Sequence, residues 1–202
     1  IMDREARKFI EKYPDCVVVS VGCGFDTRFE RVDNGQIRWY NLDLPEVIEK
    51  RRLLLPDTPR SISIGKSLLD ASWPQDIDRA DRKLLIISEG VLMYLEEKDV
   101  KAFLSILTGG FDDFEAQLDL LYKGMVKKAA LHDVVKNTSA QFNWGVKDGS
   151  EVVKLNPALK QIGHVNFTDE MKHMLPGWMK LFTPIFYLVN NRLGIYTHQK
   201  AA

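Results

Sequence analysis

The architecture of this chain follows from one stretch, Val17-Val18-Val19-Ser20-Val21-Gly22-Cys23-Gly24-Phe25-Asp26-Thr27-Arg28. Its first five residues are apolar or small and mostly β-branched, which is typical of a central strand covered on both faces. The two glycines that follow lack the Cβ atoms that would keep a ligand away from the backbone. A helix starting near Phe25 would direct its free N–H groups at whatever lies over the turn. The stretch therefore predicts a nucleotide-cofactor site, with a simple tight turn as the alternative.

The turn departs from the dinucleotide fingerprint at one position. G-x-G-x-x-G requires a third glycine at position 27, where this chain has Thr27. The neighbouring Asp26 places an anionic side chain inside the turn. Together these two residues argue against a pyrophosphate and favour a ligand that carries positive charge.

The composition excludes several classes of partner. The 202 residues are 45% apolar and 28% charged, as in an ordinary globular domain, and Lys+Arg and Asp+Glu are both 28. With no basic excess, no apolar run of membrane-spanning length and no visible signal peptide, we expect neither nucleic acid nor a membrane as partner. Cys16 and Cys23 are too far apart along an extended strand to pair easily, which favours a reduced, cytoplasmic setting. The four histidines lack ligand spacing, so we expect no metal.

Strands and helices alternate along most of the chain. Strands are predicted at 16–21, 36–42, 60–64, 83–88 and 117–122, and helices at 2–13, 25–32, 45–55, 96–108, 123–136 and 169–175, the last capped by Thr168. Residues 181–189 and 192–199, joined at Asn190-Asn191, read as a closing β-hairpin. The order predicts an α/β fold with a mostly parallel sheet, helices on both faces and a C-terminal antiparallel hairpin.

Ligands of open parallel sheets bind beyond the carboxyl ends of the strands, which selects the candidate site. Asp43 ends the second strand at the interval expected for an acid that binds ribose hydroxyls, unless it only caps the next helix. Ser67 and Leu68 follow the third strand and could flank an adenine, or the leucine could return to the core.

Glu89 follows a fully buried strand directly, where a carboxylate needs a partner. The amino group of an amino-acid-bearing cofactor would serve, and so would a structural arginine. Tyr94 could project into the same cleft or pack as an ordinary amphipathic side chain. Arg28 could position an anionic acceptor or pair with Asp26.

Four segments in this order resemble the leucine carboxyl methyltransferase-like family of S-adenosylmethionine-dependent O-methyltransferases, and in particular its bacterial branch of tetracenomycin-type polyketide enzymes. They are VGCGFDTR (21–28), WYNLDLPEVI (39–48), SLLD (67–70) and SEGVLMYL (88–95). The resemblance covers roughly 15–122 well and the C-terminal third more loosely.

The resemblance implies a Rossmann-like class I methyltransferase sheet in a single domain, 1–202, with 137–180 elaborated on the substrate side. It implies S-adenosylmethionine as cofactor, with the loop of Gly22, Cys23 and Gly24 at the methionine part, Asp43 at the ribose, and Ser67 and Leu68 at the adenine. Asp26 and Leu44 are also expected to bind the cofactor. Glu89 would bind the amino end. Family members usually carry an N-terminal helical cover that supplies an arginine to the cofactor carboxylate, and we expect this chain to lack part of it.

The expected reaction is in-line methyl transfer to an oxygen of a small molecule or a peptide terminus, with Arg28 and Tyr94 positioning the acceptor. A carboxylate acceptor needs no general base at neutral pH, whereas a phenol, with a reference pKa of about 10, does. Carboxyl methylation is therefore favoured. A nicotinamide-dependent oxidoreductase and a non-catalytic remnant of the fold are the alternatives, and the oligomeric state is left open.

Overall fold

The structure is a computed structural model that describes residues 1–129 and 141–200. Its strands form one seven-stranded sheet in the order β3-β2-β1-β4-β5-β7-β6. The strands are β1 (Val17–Val21), β2 (Arg38–Asp43), β3 (Ser61–Gly65), β4 (Leu84–Ser88), β5 (Asp113–Leu120), β6 (Leu159–Asn166) and β7 (Arg192–Gln199). Strands β1 to β5 run parallel, and β7 is antiparallel to both β5 and β6. The predicted α/β class, with a mostly parallel sheet and antiparallel strands at the C-terminal end, is confirmed.

Helices cover the sheet. Those in the described residues are α1 (Met2–Lys12), α2 (Arg28–Val32), α3 (Pro45–Leu54), α4 (Glu97–Gly110), α5 (Lys123–Ala129), α6 (Ser150–Leu155), α7 (Thr168–Met174) and α8 (Thr183–Val189). Short 3₁₀ turns lie at Trp73–Asp76, Leu92–Tyr94 and Gly177–Phe182. In the part of the chain covered by the structure, no helix combines the length and apolar character that a membrane span requires.

Strand β1 contributes to both apolar layers, as its unbroken apolar run predicts. Val17, Val19 and Val21 belong to the cluster that contains the buried face of α4, and Val18 belongs to the cluster that contains α1. Because the pleat sends successive side chains to opposite faces, a strand can have all five residues buried only if helices cover both sides.

Three predicted elements differ from the structure, and a fourth is described only in part. The helix after the glycine turn begins at Arg28, not near Phe25, and has five residues. Strand β5 spans Asp113–Leu120 where 117–122 was predicted. Thr168 is the first residue of α7 and not its cap. The predicted helix at 123–136 is described only to Ala129, and the rest lies outside the described residues.

The closing strand pair was the largest error in the predicted order. Residues 183–189 form helix α8, so the predicted strand at 181–189 is wrong. The partner of β7 is β6. Part of β6 lies in the polar stretch 137–163, for which the sequence predicts neither helix nor strand. Pro184 sits in the first turn of α8, where its fixed φ and missing N–H suit a helix start.

The order of strands also locates the site. The chain proceeds outward from β1 through β2 to β3 and then crosses back to β4 on the other side of β1. This reversal leaves a crevice at the carboxyl ends of β1 and β4, where ligands of open α/β sheets bind.

Candidate cofactor site

The glycine turn at the end of β1 is held by its neighbour strand. The amides of Gly22 and Cys23 both donate to the carbonyl of Leu42, at 2.8 and 3.1 Å. Gly22 has φ +66°, and a Cβ there would lie 3.2 Å from Val91 Cγ1 and closer still to Cγ2. The absence of a side chain at Gly22 therefore serves the packing of Val91.

Gly24 has a different environment. Its φ is +48°, and no heavy atom of the described residues beyond its chain neighbours lies within 4 Å of where a Cβ would stand. Its amide donates to Asp43 Oδ2 at 2.7 Å, and its carbonyl accepts from Arg51 Nη1 at 2.9 Å. The protein thus holds the backbone of Gly24 and leaves the space over it open.

Asp43 joins the glycine turn to β2. Besides Gly24, its carboxylate accepts the Leu44 amide at 2.8 Å. The N-cap position of α3 is Leu44, whose cap has no side-chain hydrogen bond, so the alternative that Asp43 only caps this helix is not what the structure shows. A carboxylate has about four acceptor positions, and two of them are used here.

A cavity of about 360 Å³ lies beside these residues. Six residues of the predicted site line it: Gly22, Asp43, Leu44, Ser67, Leu68 and Tyr94. Leu69, Gly90, Val91 and Leu95 complete most of its wall. We call it the adenosine cavity, because its largely apolar wall with one carboxylate at the edge suits a flat base attached to a sugar.

The loop that follows β3 contributes to both the cavity and the core. Ser67 Oγ accepts the Leu69 amide at 3.2 Å, which stabilises the turn. Leu68 is half-buried against the core cluster, and its carbonyl accepts the indole N–H of Trp73 at 3.2 Å. Leu68 therefore meets the core on one side, as the alternative predicts, and borders the cavity on another.

Arg28 forms the centre of an ionic cluster. Its side chain is only 5% exposed, and Nε and Nη1 donate to Asp3 and Asp26 at 2.8 and 2.7 Å, while Nη2 donates to Glu89. Burial acts to lower the pKa of Arg28, but Asp26 and the other two carboxylates outweigh it and hold that pKa above its ordinary value. The structural arginine that could partner Glu89 is thus Arg28, and its local partner Asp26 is present as well.

A second cavity, of about 440 Å³, opens on this cluster. Its polar wall consists of Asp3, Arg28, Glu89 and Glu170, and Phe167, Met171 and Met174 are among its apolar residues. We call it the cluster cavity. Glu89 remains 46% exposed, so it can contact a ligand there while it holds Arg28.

The predicted site residues are thus divided between two neighbouring cavities. Six line the adenosine cavity, whereas Arg28 and Glu89 line the cluster cavity. As far as the described residues define them, Cys23, Gly24 and Asp26 line neither. Cys23 is buried, and burial raises the pKa of its thiol to about 12, so this residue can offer a ligand little beyond its backbone.

Tyr94 lies apart from Arg28, although the two share one predicted role. Its ring is 44% exposed in the wall of the adenosine cavity and packs on Phe142, with ring centroids 5.4 Å apart.

Two further residues at this edge of the sheet, Asp119 and Arg51, were not predicted from the sequence. Asp119, near the end of β5, is 7% exposed, and its Oδ2 accepts the Gly90 amide at 3.1 Å. Burial raises the pKa of Asp119 to about 6, with the Gly90 hydrogen bond opposing the rise and the charge of Glu89 adding to it. Arg51, whose side chain donates to the Gly24 carbonyl, lies in the charged run Glu49-Lys50-Arg51-Arg52. Such a run is typical of a solvent-exposed helix face, so the sequence did not single out Arg51. A charged residue inside the run Gln117–Leu121 was the available signal for Asp119.

Other features do not compete with this edge of the sheet. A larger cavity, of about 600 Å³, lies elsewhere among Arg79, Lys83 and Asp113, whose charges pair with one another. Among residues 1–129 and 141–200, no three His, Cys, Asp or Glu side chains are grouped so that they could hold a metal ion.

The model of the family described as leucine carboxyl methyltransferase matches residues 2–108 of this chain, which is more than half of its 202 residues. The chain belongs to the leucine carboxyl methyltransferase family. It is therefore a member of a family of S-adenosylmethionine-dependent methyltransferases, as its four motifs predict.

A curated relative of this chain is consistent with the family assignment. The tetracenomycin polyketide synthesis O-methyltransferase of Streptomyces glaucescens is 28% identical over 160 residues, which are 79% of this chain and 59% of that protein. This chain therefore spans only about three-fifths of that relative's length.

Solved structures agree on the fold. A DUF574 family protein from Streptomyces avermitilis superposes with a TM-score of 0.68 at 12% identity, over 99% of this chain and 81% of that one. The magnesium protoporphyrin IX methyltransferase of Synechocystis, solved with bound S-adenosylhomocysteine, gives a TM-score of 0.59 at 12% identity, over 98% and 82%. At these identities the likeness establishes the class I methyltransferase fold alone.

Proposed function

We propose that this chain is the cofactor-binding domain of an S-adenosylmethionine-dependent O-methyltransferase that acts on a small molecule. One observation carries the proposal: the adjoining residues Gly90 and Glu89 line different cavities, Gly90 the adenosine cavity with Asp43 and Glu89 the cluster cavity. Gly90 has φ +68°, and within the described residues its Cβ position is open for at least 4 Å. An elongated cofactor with hydroxyls at one end and an ammonium at the other matches this arrangement.

The adenosine part is assigned to the adenosine cavity. Asp43 has two free acceptor positions for the two ribose hydroxyls. Leu44 and Leu68 border the base, and Tyr94 offers it a half-exposed ring. Ser67, also in this wall, supplies a hydroxyl.

The amino-acid part is assigned to the cluster cavity and the glycine turn. Glu89 gives one carboxylate oxygen to Arg28, and its exposed part is available to the ammonium. Gly24 lies under the chain of the methionine part, because its open Cβ position is the space a ligand would fill. We assign Arg28 the role of fixing Glu89, since its three nitrogens are each engaged by a carboxylate. Asp26 fixes Arg28 in turn.

The cofactor, when bound, supplies a methyl group that is activated by a positively charged sulfur. The chain contributes alignment: reacting atoms held in line at about 3–3.5 Å need little further organisation to react. Asp43 and Glu89 would fix the two ends of the cofactor, and the hydrophobic wall would keep water away from its centre.

The acceptor is assigned to the cluster cavity. Phe167, Met171 and Met174 offer it an apolar wall, and methionine side chains adapt to irregular shapes. Three carboxylates and one fully engaged arginine line the same cavity. That charge favours a neutral phenolic hydroxyl over an anionic carboxylate. The sequence, in contrast, favours a carboxylate acceptor, which needs no general base at neutral pH.

If the acceptor is a phenol, its O–C bond forms as the C–S bond breaks, and the electron pair of that bond stays on sulfur. The phenolic proton would pass to a carboxylate of the cavity wall, and Glu170 on α7, which also pairs with Arg4, is one such carboxylate. The Streptomyces glaucescens relative is named for the synthesis of a polyketide, which is a small molecule. We place the protein in a reducing cytoplasm, as its buried cysteine thiols, Cys16 and Cys23, favour.

Calorimetric titration with S-adenosylhomocysteine tests the cofactor assignment. Asp43→Asn and Glu89→Gln each remove a charged hydrogen-bond acceptor, which is worth about 1.5–3 kcal/mol, so we expect each variant to bind about 10- to 100-fold more weakly. Asp15→Asn, at the opposite end of β1, and Glu97→Gln, exposed on α4, are the matched controls and should bind as the wild type does.

Titration with NAD separates the oxidoreductase alternative, and a thermal melt separates the non-catalytic remnant. A ligand that binds only the folded state raises the melting temperature. Binding of NAD in preference to S-adenosylhomocysteine, or no rise in melting temperature with either ligand, would overturn the proposal.

A further inference from the structure

A buried carboxylate, that of Asp119, binds the amide of Gly90, which belongs to the peptide whose two residues line the two cavities. Asp119 is only 7% exposed, and one of its carboxylate oxygens accepts a hydrogen bond from the Gly90 amide. The other oxygen, Oδ1, is buried without a hydrogen-bond partner among the described residues. A buried charged group normally has its lone pairs satisfied, so this arrangement calls for an explanation in terms of function.

The position of Asp119 relative to the ligand follows from that of Gly90. Gly90 lines the adenosine cavity and Glu89 lines the cluster cavity, so a cofactor that occupies both passes over this peptide with its middle. The sulfur is the middle of S-adenosylmethionine. Asp119 therefore lies behind the part of the site that would face the sulfur.

We propose that Asp119 is a specificity-determining residue that makes the site prefer a ligand with positive charge at its centre over the neutral thioether left after methyl transfer. The inference rests on the proposed function. The sulfonium becomes a thioether when the C–S electron pair stays on sulfur, so the attraction to Asp119 disappears with the reaction. The charge would thus retain the reactant and release the product.

The surroundings of Asp119 leave this charge uncompensated. Glu89, after β4, is also negative, and its own counter-ion Arg28 is shared with Asp3 and Asp26. On the same face of β5, Glu115 lies towards the other end of the strand, with Gln117 between them. Other acids of the elements on this face are Glu5 of α1 and Asp169 and Glu170 of α7, which pair with Lys8, Lys172 and Arg4. Glu11 of α1 and Glu30 of α2 are exposed. Gln117 binds the Glu5 carbonyl and carries no charge.

Two stable probes measure this preference. S-adenosylhomocysteine is neutral at its centre, whereas sinefungin carries an amine there, which stays protonated well above neutral pH because amines of this kind have pKa values of about 10. The ratio of their affinities, from calorimetric titrations between about pH 5 and pH 8, reports on the centre of the ligand, because the two ligands differ only there. The dependence of that ratio on pH and on Asp119 reports on the charge. Since burial sets the pKa of Asp119 at about 6, we expect the preference for sinefungin to be present above pH 6 and to decline below it.

The variant Asp119→Asn keeps an oxygen for the Gly90 amide and removes the charge. We expect it to lower the sinefungin preference about tenfold at about pH 7.5 and to abolish its pH dependence. Glu115→Gln is the matched control, since it removes a half-buried carboxylate from the same face of the same strand, and it should leave the ratio unchanged.

The outcomes separate the two proposals. Binding of both ligands with a ratio that ignores pH in the wild type, or that Asp119→Asn does not change, overturns this inference alone. Failure of both ligands to bind the wild type overturns the proposed function and this inference with it. The wild-type pH profile decides the question even if Asp119→Asn does not fold.

Discussion

Gly22 and Gly24 stand in one turn, both at positive φ, yet they face different surroundings, and alanine at each position should separate stability from binding. Each alanine brings left-handed strain of about 1–2 kcal/mol. At Gly22 the new methyl group also meets Val91, at 3.2 Å from Cγ1 and nearer to Cγ2, which adds about 1–3 kcal/mol of overpacking. We therefore expect Gly22→Ala to lower the free energy of unfolding by about 2–5 kcal/mol and Gly24→Ala by about 1–2 kcal/mol.

Ligand binding should rank the two variants in the opposite order. The methyl group of Gly24→Ala projects into the open space assigned to the cofactor, so S-adenosylhomocysteine should bind at least about tenfold more weakly, a loss of about 1.4 kcal/mol. Urea denaturation gives the stabilities and calorimetric titration gives the affinities. Val91→Ala should restore part of the stability of Gly22→Ala, because it removes the atoms that clash.

Two results would refute this reasoning. Equal losses of stability in the two single variants, with no rescue by Val91→Ala, would mean that contact with Val91 is not the reason position 22 requires a glycine. Wild-type affinity in Gly24→Ala would mean that the cofactor does not pass over this turn.

Three further predictions concern buried polar groups. Since burial raises the pKa of Asp119 to about 6 in the folded chain, against about 3.9 unfolded, the folded state binds the extra proton, and the contribution of Asp119 to the free energy of unfolding should fall by about 2–3 kcal/mol as pH rises from about 4 to about 6. Urea denaturation should show this fall in the difference between the wild type and Asp119→Asn, because the other carboxylates, such as Asp3 with its lowered pKa, change both proteins alike. Arg28→Met should lower the free energy of unfolding by about 3–5 kcal/mol, because it strands the carboxylates around it, and a loss below about 1 kcal/mol in chemical denaturation would contradict the buried cluster. Burial raises the pKa of both Cys16 and Cys23 to about 12, so a thiol reagent at about pH 8 should label them only as fast as the chain unfolds, and prompt labelling of the folded protein would show that the thiols are accessible.

The fold was predictable wherever burial imposes a simple pattern. The unbroken apolar runs of β1 and β4 require cover on both faces, which only the middle of a parallel sheet provides. Likewise, the apolar positions of α4 recur at helical spacing and are all buried.

The closing strands were not predictable in the same way. Strand β6 is at the sheet edge and reads Leu159-Lys-Gln-Ile-Gly-His-Val-Asn166, with most residues only partly buried, so its pattern is weak. Residues 183–189, in contrast, are rich in β-branched and aromatic residues, which favours a strand by propensity, yet they form α8 on the surface.

The candidate site was likewise predictable in part. The rule that ligands bind at the carboxyl ends of strands identified Asp43 and Glu89 without any structure, because it needs only the order of the elements. It could not give the partner of Glu89, since three carboxylates compete for Arg28 through side-chain geometry. It missed Asp119 because the predicted strand at 117–122 put this residue in the middle of β5, away from the edge.

The most direct test of the cofactor assignment is an experimental structure of the protein with S-adenosylhomocysteine. We predict that the adenine lies in the adenosine cavity beside Leu68, that the ribose hydroxyls bind Asp43, and that the amino group binds Glu89 in the cluster cavity. A ligand bound instead at the larger cavity beside Arg79, or one whose ribose and amino group contact neither Asp43 nor Glu89, would contradict it.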